Sequence, residues 1–197
     1  MIVENLIVFP TLIKTVKSFL NKNQCIDVIE YSKNYNFKLH KAITNNSKST
    51  HSNTKDLLSN ISDNVLSCKN VKDNITKVIN DYSKETGLYT PKLADSWVNI
   101  QNKGSKLISH THPGSVISGV IYLNVDDDSS NIYFYNPNPY IKYTKTTLDL
   151  TQYSYEHIWI KPNIGDLIIF PGWLSHGSDE DINQTETRIA MSFNTIL

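Results

Sequence analysis

The chain has 197 residues, room for one domain of ordinary size, and its 19 basic and 19 acidic residues cancel. A balanced charge provides no overall field to draw it onto nucleic acid or an anionic membrane surface. With 39% apolar residues and a mean hydropathy of −0.35, extended disorder, collagen and coiled coil are excluded.

Residues 6–19 are rich in β-formers, with Pro10 permitting only an edge or kinked strand. Residues 21–36 read as a helix with Ile26, Ile29 and Lys33 on one stripe. Residues 37–53 are polar and without period, the signature of an irregular loop. Thr54 is placed to cap a helix carrying Leu57, Leu58, Ile61 and Val65. A further helix carries Ile75, Val78, Ile79 and Tyr82 and ends at Gly87. These helices are expected to pack together on one face of a sheet.

From Lys92 the period changes to two, with Trp97, Asn99 and Gln101 alternating against Val98 and Ile100 until Gly104. Strands are expected at 116–125, 132–135, 156–161, 167–170 and 187–195. Between the second and third lies the longest irregular stretch of the β half, and its residues 137–154, with Pro139, Tyr140, Tyr143 and Tyr153, are expected to contact substrate, as loops of that length often serve as lids or binding loops. Asp126, Asp127 and Asp128 form a solvated turn. Many short strands without helical crossovers predict a mainly β, α+β protein of sandwich or jelly-roll type. The expectation is a single domain over 1–197, with supporting elements in 1–90 and the β core in 91–197.

Cys25 and Cys68 form no paired motif, so neither a disulfide framework nor a thiolate zinc site is expected, and a reducing cytoplasm fits. No apolar run reaches the ~18 residues needed to span a bilayer, and Leu6–Phe9 is too short for a signal peptide.

Chemistry concentrates in three histidines and one arginine. His110 and His112 sit two apart at a strand end, closed by Pro113-Gly114. On a strand such residues share a face, about 6.6 Å apart at Cα, and can converge on one metal. His176 follows the buried run Leu167 to Phe170 and can complete a facial site that leaves positions open for other ligands. His40, His51 and His157 read as solvated or half-buried residues. Of the 19 basic residues only Arg188 is Arg, twelve residues after His176 in the final strand. Its planar fork suits a carboxylate in a way Lys does not.

These segments resemble the 2-oxoglutarate/Fe(II)-dependent oxygenases, and among them small oxygenases of bacteria and phages. The resemblance covers residues 95–197. It is carried by Ser96-Trp97-Val98-Asn99, His110-Thr111-His112-Pro113-Gly114-Ser115, Ser118-Gly119-Val120-Ile121-Tyr122-Leu123 and Phe134-Tyr135-Asn136-Pro137. Phe170-Pro171-Gly172-Trp173-Leu174-Ser175-His176 and Arg188 through Asn194 complete it. It implies a double-stranded β-helix binding Fe(II) through a His-x-Asp/Glu…His triad, matched here by His110 and His176 with His112 in place of the carboxylate. It implies Arg188 on the distal carboxylate of 2-oxoglutarate, shared by Tyr122 as in the prolyl-hydroxylase branch. Asn99 is assigned to the keto-acid end. Ser192, about 13 Å along the strand from Arg188, is left out.

The implied activity is hydroxylation of an unidentified small-molecule or peptide substrate by O₂, with 2-oxoglutarate decarboxylated to succinate and CO₂. No nucleic-acid or membrane partner is expected. The alternatives are a three-histidine, cupin-like dioxygenase independent of 2-oxoglutarate, or a non-catalytic binding module on the same fold.

Overall fold

The computed structural model describes residues 4, 7, 9–51, 56–144, 151 and 153–197. After a short strand β1 (Lys14–Val16), Asn21 opens helix α1 (Lys22–Ser32) with a reciprocal cap. Its side chain accepts from the Gln24 backbone while the Gln24 side chain accepts from its own. The helix buries Cys25, Val28 and Ser32, whereas Ile26 is 55% exposed, so the stripe lies one residue away from the expected one. Helix α2 (Leu57–Asn64) is capped by the Asp56 side chain; the Thr54 cap and the opening Leu6 lie outside the described residues. Val65 is extended just past the end of α2, yet packs against the same core as Leu57, Leu58 and Ile61. Helix α3 (Val71–Thr86) stops at Gly87, whose φ of 71° is the left-handed conformation a glycine adopts without steric cost.

Of the expected irregular loop 37–53, residues 37–51 are described, and they are not without regular structure. They contain β2 (Lys38–Leu39) and β3 (Lys48–Ser49), a hairpin paired onto β4 (Lys92–Asn102). Such short strands have too little sequence to show a period, and their pairing comes from β4. The remaining strands are β5 (Ile117–Asn124), β6 (Ile132–Tyr135), β7 (His157–Ile160), β8 (Leu167–Pro171), β9 (His176–Gly177) and β10 (Thr187–Ile196).

A seven-stranded antiparallel sheet has the order β1-β8-β5-β10-β4-β3-β2, and a smaller one has the order β7-β6-β9. His110 pairs with His176 and extends the smaller sheet. The result is the double-stranded β-helix, or jelly roll, with supporting helices on one face. Strand alternation decides what each face carries. Outward from β4, β5, β8 and β10 point Val98, Ile117, Ile121, Leu167, Ile169, Met191 and Phe193, packed with the helices in one apolar core. Gly119 sits opposite Phe193, and a Cβ there would stand 2.3 Å from its ring. Inward, Val120, Tyr122, Ile168, Phe170 and Ala190 meet Phe134 of the smaller sheet in a second core. The same parity turns Trp97, Asn99, Gln101, Arg188 and Ser192 toward the space between the sheets.

Candidate active site

A cavity of about 250 Å³ opens between the sheets, with His110, His112 and His176 at one part of its wall and Gln101, Tyr122 and Arg188 at another. All three histidines expected to act together are brought together. Their candidate ligand nitrogens lie within 4.8 Å of one another, the one such group of metal-ligating side chains among the described residues.

Backbone carbonyls fix two of the rings. His110 Nδ1 lies 2.8 Å from the Ile108 carbonyl and His176 Nδ1 2.9 Å from that of Leu174. A carbonyl only accepts, so each Nδ1 carries the proton and each Nε2 keeps its lone pair, the arrangement that orients metal-binding histidines. His112 Nε2 stands 3.3 Å from His176 Nε2, whose lone pair accepts from the Nε2–H tautomer of His112. Burial and the neighbouring imidazoles push His112 down to about 4 and His176 to about 3, and burial lowers His110. At neutral pH all three rings are uncharged. The rings of Phe170 and Phe134 lie 4.4 and 6.1 Å from that of His176 and keep its flank apolar.

The other wall is polar and incompletely satisfied. Arg188, 6% exposed, donates through Nη1 to Gln101 Oε1, its neighbour across the β10–β4 pair. Its Cζ lies 5.1 Å from the Tyr122 ring centroid. Arg188 Nε, Gln101 Nε2 and the Tyr122 hydroxyl are buried without a protein partner. Burial depresses the Arg188 guanidinium and raises the Tyr122 phenol, which the guanidinium partly offsets. The unpaired Arg188 Nε, with two further unpaired donors beside that buried cation, suits an anion with several acceptor oxygens.

Asn99 lies midway. Along β4, Trp97, Asn99 and Gln101 face Ser192, Ala190 and Arg188 of β10, and the Trp97 ring is 6.0 Å from that of His112. Asn99 therefore stands two residues from each end of the cavity; its Oδ1 is unpaired and its Nδ2 donates to Ser192 Oγ at 3.5 Å. Ser192 lines the cavity beside Asn99, away from Arg188.

Three lining residues escaped the sequence reading. Gln101 showed only as one position of an alternating strand, with nothing to single out its amide. His40 and His51 were read as solvated, yet both line the cavity, and the His51 ring is 4.6 Å from that of Trp97. Of the 137–154 loop, Ile141–Thr144 forms one 3₁₀ turn with Tyr140 and Tyr143 exposed, and 145–150 and 152 lie outside the described residues.

The fold and this cavity define a class. The structure is similar to a prolyl-4-hydroxylase from Pseudomonas putida at 11% identity, covering 95% of this chain and 94% of that one with a TM-score of 0.65. It is similar to the viral collagen prolyl hydroxylase of Paramecium bursaria Chlorella virus-1 at 14% identity, covering 94% and 96%, TM-score 0.56. HygX from Streptomyces hygroscopicus, with nickel, 2-oxoglutarate and hygromycin B bound, matches at 9% identity, covering 94% and 82%, TM-score 0.64. All share the double-stranded β-helix. No curated protein matches the chain.

The family model described as "Putative 2OG-Fe(II) oxygenase" matches residues 95–194. That is just over half of the chain, and the protein belongs to this family. It is an oxidoreductase that uses Fe(II), 2-oxoglutarate and O₂. The residues present fit both groups, since neutral imidazoles face one end of the cavity and orphaned donors around a guanidinium face the other. The alternatives of a 2-oxoglutarate-independent dioxygenase and of a non-catalytic module therefore give way. No helix among the described residues is long and apolar enough to cross a membrane.

Proposed function

We propose that the protein hydroxylates a C–H bond of a small-molecule or peptide substrate in a reducing cytoplasm. The single observation that carries this reading is one cavity lined by three neutral imidazoles and, across Asn99, by Arg188 with its unpaired neighbours. Fe(II) and 2-oxoglutarate, when bound, supply the oxidising power, with O₂ consumed and 2-oxoglutarate converted to succinate and CO₂.

His110, His112 and His176 would hold the iron, His110 and His176 through the Nε2 that their Nδ1–H bonds leave free. The two Nδ1–H bonds to backbone keep the His110 and His176 rings from turning away. Arg188 takes the distal carboxylate of 2-oxoglutarate, with the Tyr122 hydroxyl and Gln101 Nε2 as further donors; Gln101 Oε1 holds the guanidinium in its plane. Asn99, midway, offers its amide to the keto-acid end. Phe134 and Phe170 exclude water from the flank of His176. Two free buried cysteines, with the Cys25 thiol pushed up to about 11 by burial and the neighbouring Cys68, accord with a reducing compartment.

A crystal structure of the protein with Fe(II) and 2-oxoglutarate under anaerobic conditions tests these roles together. The reading expects metal on three imidazoles and the distal carboxylate on Arg188. A carboxylate bound elsewhere, or metal held without His112, overturns the corresponding assignment.

A further inference from the structure

A second groove adjoins the cavity. It measures about 350 Å³, is lined by Lys38, His40, Lys41, Ser49 and His51 of the β2–β3 hairpin, and shares His40 and His51 with the first. From residue 31 to residue 55 the chain carries five lysines and no Asp or Glu, within a sequence whose charges otherwise cancel. Lys38, Lys41 and Lys48 are exposed and have no carboxylate partner among the described residues. The Ala42 amide donates to His40 Nδ1, which leaves the Nε2 proton of the neutral ring as a donor. The groove therefore collects cationic and hydrogen-bond-donating groups, and its inner wall is two ring-to-ring steps from the histidine cluster. His51 lies 4.6 Å from Trp97 and Trp97 6.0 Å from His112.

We propose that this groove binds a phosphate group of a small-molecule substrate and thereby presents a carbon of that substrate to the metal end of the cavity. The inference rests on the reading of the main cavity given above and adds the substrate class. Lysines act as hydrated point charges suited to phosphate, and the planar fork that recognises carboxylates is absent from the groove, since the chain's one Arg lies buried at Arg188. The hairpin is an edge of the large sheet, so a ligand reaches it from solvent without crossing the core.

Ribose 5-phosphate and ribose serve as probes, titrated calorimetrically into the anaerobic protein loaded with Fe(II) and 2-oxoglutarate, with an oligothymidylate as a third probe. Ribose 5-phosphate should bind, with affinity falling as salt rises, and ribose should bind at least tenfold more weakly. The double variant Lys38→Gln/Lys41→Gln should lose tenfold or more for ribose 5-phosphate while its 2-oxoglutarate affinity stays that of the parent. Failure of ribose 5-phosphate to bind, binding that ignores the two lysines, or binding of the oligothymidylate alone overturns the proposal. 2-Oxoglutarate affinity, measured in the same samples, separates the two readings. Its absence would refute the Arg188 assignment, whereas intact 2-oxoglutarate binding beside lysine-independent ribose 5-phosphate binding overturns the groove alone.

Discussion

The two faces of the large sheet are made by the same strands and differ in every physical respect. Toward the helices, Ile121, Met191 and Phe193 are at most 1% exposed and have only apolar neighbours to satisfy. Toward the smaller sheet, Tyr122 and Arg188 are also buried but carry polar atoms without partners. The helix face is closed mainly by apolar packing, with Asn80 Oδ1 and Ser83 Oγ of α3 left unpaired within it. The other keeps unmet hydrogen-bonding capacity, which costs stability and is recovered only when a ligand arrives.

The largest effects that test this contrast come from exchanging its ends. His176→Ala should abolish stoichiometric Fe(II) binding and turnover while far-ultraviolet circular dichroism stays that of the parent; retained iron would remove the imidazole cluster from the metal site. Phe193→Ala, on the helix side, should cost about 3–5 kcal/mol in urea unfolding, with 2-oxoglutarate affinity per folded molecule unchanged. A large loss of cosubstrate affinity in that variant would show that the faces are not independent.

Acid should act on the inner face first. An unfolded histidine takes its proton near pH 6.5, whereas His112 and His176 are held to about 4 and about 3 by burial first and by neighbouring imidazoles, His110 above all, second. Between those values the unfolded chain binds more protons, so metal-free protein should lose on the order of a few kcal/mol as pH falls from 6.5 toward 4. Full stability should return above pH 6.5. Urea midpoints across this range check it, and a His112→Asn variant should flatten the slope. The smallest effect is expected for Arg188→Lys, which keeps the charge and loses the fork. Its 2-oxoglutarate affinity should drop about tenfold, with iron binding retained, as read by calorimetry.

Strand parity explains why so much of the inner face was legible in the sequence. Val120 and Tyr122, or Trp97 and Asn99, declare a shared side as soon as the strand is recognised, and the spacing of His110 and His112 declares a converging pair. Arg188 stood out because every other basic residue is Lys. The hairpin was hidden for the opposite reason. Lys48 and Ser49 form a strand because Ile100 and Asn99 of β4 pair with them, and Thr50 then bonds Val98 through both backbone and hydroxyl. Nothing local in that segment records partners about a quarter of the chain away, so His40 and His51 read as solvent-facing. Gln101 was missed because an amide gains its meaning from the guanidinium across the ladder.

The histidine at position 112 also bears on which metal the protein meets in a cell. With all three imidazoles ligating as proposed, the set of uncharged nitrogen donors, without a hard anionic oxygen, would also suit Zn(II), Ni(II) and Cu(II), which the divalent series places above Fe(II) in affinity. Supply and exchange rate, more than intrinsic preference, must then decide occupancy. Protein purified from a zinc-rich or nickel-rich source should arrive loaded with a redox-silent competitor. Its activity in that state would depend on the history of the preparation as much as on the sequence.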